Sequence, residues 1–281
     1  MDSALIPPPL DVTRLLRDHD LSPRKGLGQN FLVDQQALRK LVEAAEIPPG
    51  ATVLEVGPGV GSLTIWLARA ARQVVAVELD ASLIPLLRET LAGLDNVTLV
   101  EGDILAVQPG DWIDAVGDYL VVANIPYYIT SAIIRHLLEN PPRPARMVLT
   151  MQREVAERIC AAPGKMSLLA LSVQVYGKPR AVLRIPAGAF YPPPQVDSVS
   201  LRVDLYPQPL VPLDRLDLFF RLAKAGFSQK RKTLRNSLAA GLGIPAQEAG
   251  ALLQTAGIDP QRRAETLSLE EWQRLSGVYA P

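Results

Sequence analysis

Apolar residues fall along this chain in two rhythms. Between residues 52 and 151, short apolar runs at 52–56, 74–78, 97–101, 119–123 and 146–151 alternate with stretches at 62–71, 83–91 and 131–138, where apolar positions recur every three or four residues. The short runs have the length and the valine content of buried strands, and the others read as helices packed by one face. Such alternation predicts a parallel sheet covered by helices on both faces through right-handed crossovers. One more helix is predicted upstream, capped by Asp34 and stopped at Pro48-Pro49-Gly50. Pro7-Pro8-Pro9 makes residues 1–22 read as a stiff, poorly ordered arm.

Downstream, the pattern predicts a helix at 168–176 and strands at 181–185 and 198–205, around a proline-rich loop at 190–198. Residues 207–212 read as a stiff linker. Beyond them every segment reads as helix, at 213–226, 230–242, 245–255 and 269–275, with Ser268 and Glu271 spaced as a capping box. The expected organisation is an α/β domain over 1–206 and a small all-helical domain over 207–281.

With 281 residues and 48% apolar content, there is material for a sizeable core. The single cysteine, Cys160, excludes an intramolecular disulfide, and with His19 and His136 the only histidines we expect no metal site. The N-terminal stretch has neither the basic start and apolar run of a signal peptide nor the length of a membrane span, so we expect a cytoplasmic protein with no membrane partner. Net charge is zero, but it is unevenly spread. Nine acids (Glu78, Asp80, Glu89, Asp95, Glu101, Asp103, Asp111, Asp114, Asp118) and one base, Arg88, lie between 78 and 118. Six bases (Arg221, Lys224, Lys230, Arg231, Lys232, Arg235) and no acid lie between 218 and 247. Separated poles suggest two differently charged ligands.

Gly57-Pro58-Gly59-Val60-Gly61 follows a predicted strand and opens a helix, so backbone can approach a ligand without side chains intervening. Glu78 ends the next strand, 21 residues after Gly57, where an acid can accept hydrogen bonds from ribose hydroxyls. Asp103, after the third strand, can accept from an adenine amino group beside the apolar wall of Ile104. A solvated face would explain most acids of this region, but Glu78 and Asp103 each terminate or follow an apolar strand. A dinucleotide normally uses the longer G-x-G-x-x-G spacing and brings a pyrophosphate that these acids would repel. S-adenosylmethionine carries no phosphate and is cationic, so the pattern favours it over a nicotinamide cofactor.

The segment Tyr119–Thr130 places Asn124-Ile125-Pro126-Tyr127 at the end of a strand, which resembles the (N/D)PPY-type motif of amino-methylating enzymes. An adenine amino lone pair is delocalised into the ring and must be localised before it attacks a methyl group. The Asn124 side-chain oxygen and the Ile125 carbonyl can accept the two amino hydrogens, and Tyr127 can stack on the base. Tyr128 we expect to be a core aromatic.

Taken together, segments 25–34, 54–64, 77–80, 101–105, 124–130 and 190–198 resemble, in order, those of the ribosomal RNA adenine dimethyltransferases that act on the small subunit, and segments 226–238 and 263–272 resemble their C-terminal domain. The resemblance implies a class I, Rossmann-like S-adenosylmethionine-dependent methyltransferase domain with a small helical domain. It implies contacts of Asn30 and Leu32 with the methionine portion and of Gly57, Gly59 and Gly61 through the glycine loop. Glu78 would hold the ribose, Asp103 and Ile104 the adenine, with Leu79 a further cofactor contact and Asn124 at the transfer site. Phe190 would face Tyr127 across the target base. The implied reaction places two methyl groups on N6 of each of two adjacent adenosines in the 3′-terminal hairpin loop of 16S rRNA, within an immature small ribosomal subunit, releasing S-adenosylhomocysteine.

Arg221, Lys224, Lys230, Arg231, Lys232 and Arg235, on or just before one helix, are the expected phosphate contacts, extended by Arg24 and Lys25. We expect a monomer. Three alternatives stand beside this reading: the large-subunit methyltransferase of the macrolide-resistance type, a non-catalytic RNA-binding assembly factor on the same fold, and a nicotinamide dehydrogenase.

Overall fold

In the computed structural model, which describes residues 7–113 and 119–279, the apolar runs become neighbouring strands of one sheet. Asp114 and Asp118 of the acidic stretch lie outside the described residues. In chain order the elements are α1 (Val12–Asp18), β1 (Phe31–Leu32), α2 (Gln35–Ala45), β2 (Thr52–Val56), α3 (Ser62–Ala70), β3 (Gln73–Glu78), α4 (Ile84–Thr90), β4 (Val97–Glu101), β5 (Tyr119–Asn124) and α5 (Thr130–Glu139). They continue as β6 (Arg146–Gln152), α6 (Arg153–Ile159), α7 (Leu168–Gln174), β7 (Gly177–Ile185), β8 (Phe190–Tyr191) and β9 (Ser198–Leu205), followed by α8 (Leu216–Phe227), α9 (Leu234–Leu242), α10 (Ala246–Thr255) and α11 (Leu269–Val278).

The sheet order is β4-β3-β2-β5-β6-β9-β7. Strands β4, β3, β2, β5 and β6 are parallel, with Thr52 opposite both Gln73 and Tyr119. Val53, Val74, Val122 and Val148 turn towards a core shared with Leu38, Leu41, Leu63 and Leu67 of α2 and α3. The alternate residues Leu54, Val75, Val121 and Met147 are buried as well, so both faces are covered. The sheet is not wholly parallel as expected: β9 runs antiparallel to β6, pairing Thr150 with Ser200. Strand β9 is reached from its neighbour β7 through an extended connection, and without a crossover helix nothing imposes the parallel direction.

Two further expectations are corrected. Residues 12–18 are no free arm; Asp11 Oδ1 caps α1 at Arg14 N (3.0 Å), and Val12 and Leu16 bury against Leu83, Ile84 and Leu87. Residues 207–212 are no free linker either, because Leu210 N donates to Val175 O (2.8 Å) and Val211 is buried. Both segments carry an apolar face that proline content masked.

The chain forms two compact units, Met1–Ala156 with Arg180–Leu205, and Glu157–Pro179 with Tyr206–Pro281. Within the second, Trp272 is fully buried and stacks on Phe227 at 5.6 Å. The predicted capping box forms: Ser268 N donates to Glu271 Oε2 (2.8 Å) and Glu271 N to Ser268 Oγ (3.2 Å). The helix expected from residue 230 starts at Leu234, because α8 runs on to Phe227 and Lys232 N closes a turn onto Gln229 O (3.0 Å).

Gly241 lets α9 lie against α8; a Cβ built there would sit 2.5 Å from Ala225 Cα. Helix propensity alone would make Gly241→Ala stabilising by about 0.5–1 kcal/mol. Overpacking against backbone costs about 1–3 kcal/mol and should win. The expected outcome is a lower urea midpoint for Gly241→Ala, and an unchanged or higher midpoint would refute the close approach.

Candidate active site

Strand order reverses between β2 and β5, and at the carboxyl ends of these strands lies a cleft of about 950 Å³, counted to its open mouth. This is where open α/β sheets take ligands. Its walls are the 27–32 segment, the glycine loop, the ends of β3, β4 and β5, and the turn that follows β5. Asn30, Leu32, Gly57, Gly59, Glu78, Leu79, Asp103, Ile104, Asn124 and Tyr127 all line it.

The glycine loop is held by one buried carboxylate. Glu78, 6% exposed, accepts from Gly59 N (3.0 Å) and from Asp80 N (2.8 Å). Burial pushes its pKa up, while the Asp80 and Gly59 N–H groups act against that. Gly59 has φ +62°, and a Cβ there would lie 2.7 Å from Phe31, so only glycine fits. Gly57 opens onto free space, as a ligand-facing backbone requires. Gly61 does not line the cleft; it caps α3 and lies against Thr90, Leu91 and Leu87, where it sets helix packing.

Beneath the loop, Glu55 of β2 also lines the cleft, at 1% exposure. Burial raises its carboxyl to about 8; the nearby Thr64 hydroxyl acts in the opposite sense, and the Glu78 charge adds to the rise. Glu55 Oε2, Ser62 Oγ and Thr64 Oγ1 are buried without a hydrogen-bond partner among the described residues. Sequence reasoning passed over Glu55; the signal was an acid at an inward position of an otherwise apolar strand. Three acids and no lysine or arginine line the cleft among the described residues. That composition fits a cationic, phosphate-free nucleoside ligand and disfavours a pyrophosphate. Asp103 keeps one oxygen on Leu105 N (2.9 Å), and the other has no partner among the described residues.

Asn124 ends β5 and donates through Nδ2 to Asn30 O at 2.9 Å. That bond fixes the carboxamide and leaves Oδ1 without a partner among the described residues. Tyr127 is held by a 2.6 Å bond between its hydroxyl and Ser198 Oγ, at the start of β9, and burial raises its pKa, with Ser198 acting the other way. Tyr128 was expected in the core, but it is 56% exposed at the cleft wall.

Other assigned residues lie elsewhere. Phe190 is 3% exposed and does not line the cleft: pairing of β1 with β8 sets it opposite Leu32, and both turn into the core. Arg24 donates to Asp80 Oδ1 (2.9 Å) and Gln29 to Asp80 Oδ2 (2.8 Å), tying the 24–29 segment to the end of β3. Burial pushes Asp80 up, but Ser82, Gln29 and Arg24 outweigh it and hold its pKa below the ordinary value. Arg24 is therefore an ion-pair partner, whereas Lys25 is exposed. In the second unit Arg221 and Lys224 are exposed on α8, and Lys230, Arg231 and Lys232 are exposed on the turn before α9. Arg235 on α9 is partly buried near Gly250. These bases do not share one helix. Among the described residues there is no group of side chains suited to a metal ion, and no helix is long and apolar enough to cross a membrane.

Comparison with known proteins is consistent along the chain. The family model for ribosomal RNA adenine dimethylase matches residues 21–280. The ribosomal RNA small subunit methyltransferase A of Dehalococcoides mccartyi (strain CBDB1) is 49% identical over 95% of this chain and 91% of its own. The crystal structure of the 23S rRNA methyltransferase ErmE matches with TM-score 0.71 and 31% identity, over 89% of this chain and 99% of that one. A dimethyladenosine transferase from Plasmodium falciparum matches with TM-score 0.75 and 26% identity, over 87% and 95%.

A folded-state carboxyl raised to about 8 stabilises the fold below the ordinary carboxylate range, and that contribution is lost as pH rises towards 8. Ligand-free protein should therefore lose melting temperature between about pH 5 and 8, and Glu55→Gln, which stays neutral, should flatten that decline. Parallel pH profiles for the two proteins would show that Glu55 is not the group responsible.

Proposed function

The chain belongs to the ribosomal RNA adenine dimethylase family, and on that premise we propose that it transfers methyl groups from S-adenosylmethionine to N6 of two adjacent adenosines in the 3′-terminal hairpin loop of 16S rRNA. The small-subunit substrate is favoured by 49% identity to a small-subunit enzyme, against 31% to a large-subunit one. The observation that carries the chemistry is the free Oδ1 of Asn124, aligned by the bond from Nδ2 to Asn30 O in a cleft lined by acids.

S-adenosylmethionine supplies an electrophilic methyl group on a sulfonium. On our reading Glu78 accepts from its ribose hydroxyls with the lone pairs left by Gly59 and Asp80, and Asp103 accepts from its adenine amino group. Leu79 and Ile104 wall the adenine, while Asn30 and Leu32 border the methionine portion. Asn124 Oδ1 and the Ile125 carbonyl accept the hydrogens of the target amine and hold its lone pair towards the methyl group. Tyr127, steadied by Ser198, offers its ring to the extruded base; stacking returns about 1–3 kcal/mol of the cost of leaving the RNA stack. No metal is assigned a step, since the sulfonium is already the electrophile. Phe190, packed in the core, is given no stacking role.

We assign Arg221, Lys224, Lys230, Arg231, Lys232 and Lys25 to the RNA phosphates, with the protein acting as a monomer in the cytoplasm on immature small subunits. These side chains are exposed, and no ion pair neutralises them among the described residues.

Asn124→Ala should leave calorimetric S-adenosylmethionine affinity largely unchanged and slow single-turnover methylation by about 10²–10³-fold. Wild-type rates would refute its role. Replacing Lys230, Arg231 and Lys232 together with alanine should reduce the slope of log affinity for RNA against log salt by about 2 to 3. An unaltered slope would return that turn to ordinary surface.

A further inference from the structure

A base drawn into the cleft leaves its neighbour in the strand outside, one backbone step from the mouth. That neighbour has lost a stacking partner, so a surface that replaces the lost contact lowers the cost of extrusion. Tyr128 stands where such a surface is needed. It follows Tyr127 directly in the 3₁₀ turn Tyr127–Ile129, yet the two rings are used differently. Tyr127 is anchored through Ser198, whereas Tyr128 borders the same cleft with more than half of its surface in solvent.

The ring of Tyr128 is seated rather than loose. Gly28, at φ +62°, passes close behind it; a Cβ built on Gly28 would lie 3.1 Å from Tyr128 Cδ1 and 3.7 Å from Pro126 Cβ. The turn is clamped from the other side, where Thr130 Oγ1 donates to Pro126 O (3.3 Å) and Tyr127 O (3.2 Å). A pre-set aromatic surface loses little entropy when it is covered. Gly28 also closes the 3₁₀ turn Lys25–Leu27, which carries the exposed Lys25. An uncovered ring, backed by a turn that carries a cation with no ion-pair partner among the described residues, matches a nucleobase and its phosphate.

We propose that Tyr128 is the platform on which the nucleotide next to the target stacks during methyl transfer, with Lys25 beside its phosphate. This rests on the reading of the cleft as a site for an RNA adenosine. Tyr128 is thus a positioning residue for the substrate strand and does not touch the reacting atoms.

The test is a cycle between protein and RNA. Wild type, Tyr128→Ala and Tyr128→Phe are assayed on immature small subunits whose 16S rRNA carries the adjacent adenosines, and on the same particles with an abasic nucleotide 5′ or 3′ of the methylated position. On the intact particles, Tyr128→Ala should lower kcat/KM by about 5- to 100-fold, mainly through KM, with S-adenosylmethionine affinity unchanged and with Tyr128→Phe close to wild type. One abasic substitution should cost the wild type a similar factor and cost Tyr128→Ala almost nothing more. If neither abasic position shows this coupling, or if Tyr128→Ala keeps wild-type kcat/KM, the platform is refuted. Failure of the wild type to methylate the intact particles would instead refute the functional reading itself.

Discussion

A carboxylate buried at the end of a strand must be hydrogen-bonded, and the way Glu78 meets that demand organises the cleft. Its two oxygens take the N–H groups of Gly59 and Asp80, one from the glycine loop and one from its own chain two residues on. Leaving a buried polar group without its hydrogen bonds costs about 1–3 kcal/mol, and more when it is charged, a sizeable part of a domain's stability. The loop is therefore held against β3 by the acid that our reading gives to the ribose. Asp80 extends the arrangement by collecting Arg24 and Gln29, which draws the 24–32 segment over the cleft. Asn30 in that segment then receives the Asn124 amide. A chain of polar contacts thus runs from the ribose acid to the carboxamide, and each link orients the next.

Charge is partitioned between the two units in a way that suits two ligands. The cleft of the first unit carries Glu78 and Asp103, beside a Glu55 carboxyl that burial raises to about 8, and no lysine or arginine lines it among the described residues. A cationic ligand lowers the energy of such a site, whereas a polyphosphate raises it. The second unit presents exposed bases around a turn, suited to a polyanion by counterion release and not by base reading. On our reading the first would orient a small cation, and the second would hold a long anion.

Much of this was legible in one dimension because it depends on local chemistry. Strand ends, the glycine loop, the capping box of α11 and the Asp34 cap follow from residue type and spacing within a few positions. Glu78, Asp103 and Asn124 could be picked out because each ends or follows an apolar run in a parallel sheet, and the carboxyl ends of such strands converge. What misled were signals that mean different things in different packing. The triple proline hid α1, the apolar character of Phe190 suited a stacking role and a core role equally, and Tyr128 looked like core for the same reason.

By itself, then, the sequence determined the α/β alternation, the helical tail and the residues that meet at the carboxyl edge, since these are consequences of periodicity and of parallel strand geometry. Only tertiary structure decided the antiparallel direction of β9, the commitment of Arg24 to Asp80, the inward turn of Phe190 and the outward turn of Tyr128. Each of these depends on which distant segment lies alongside: β6 for β9, β3 for the 24–29 segment, β1 for Phe190 and Gly28 for Tyr128. Pairing across tens of residues is settled by the competition of whole surfaces for burial, and no local pattern records its outcome.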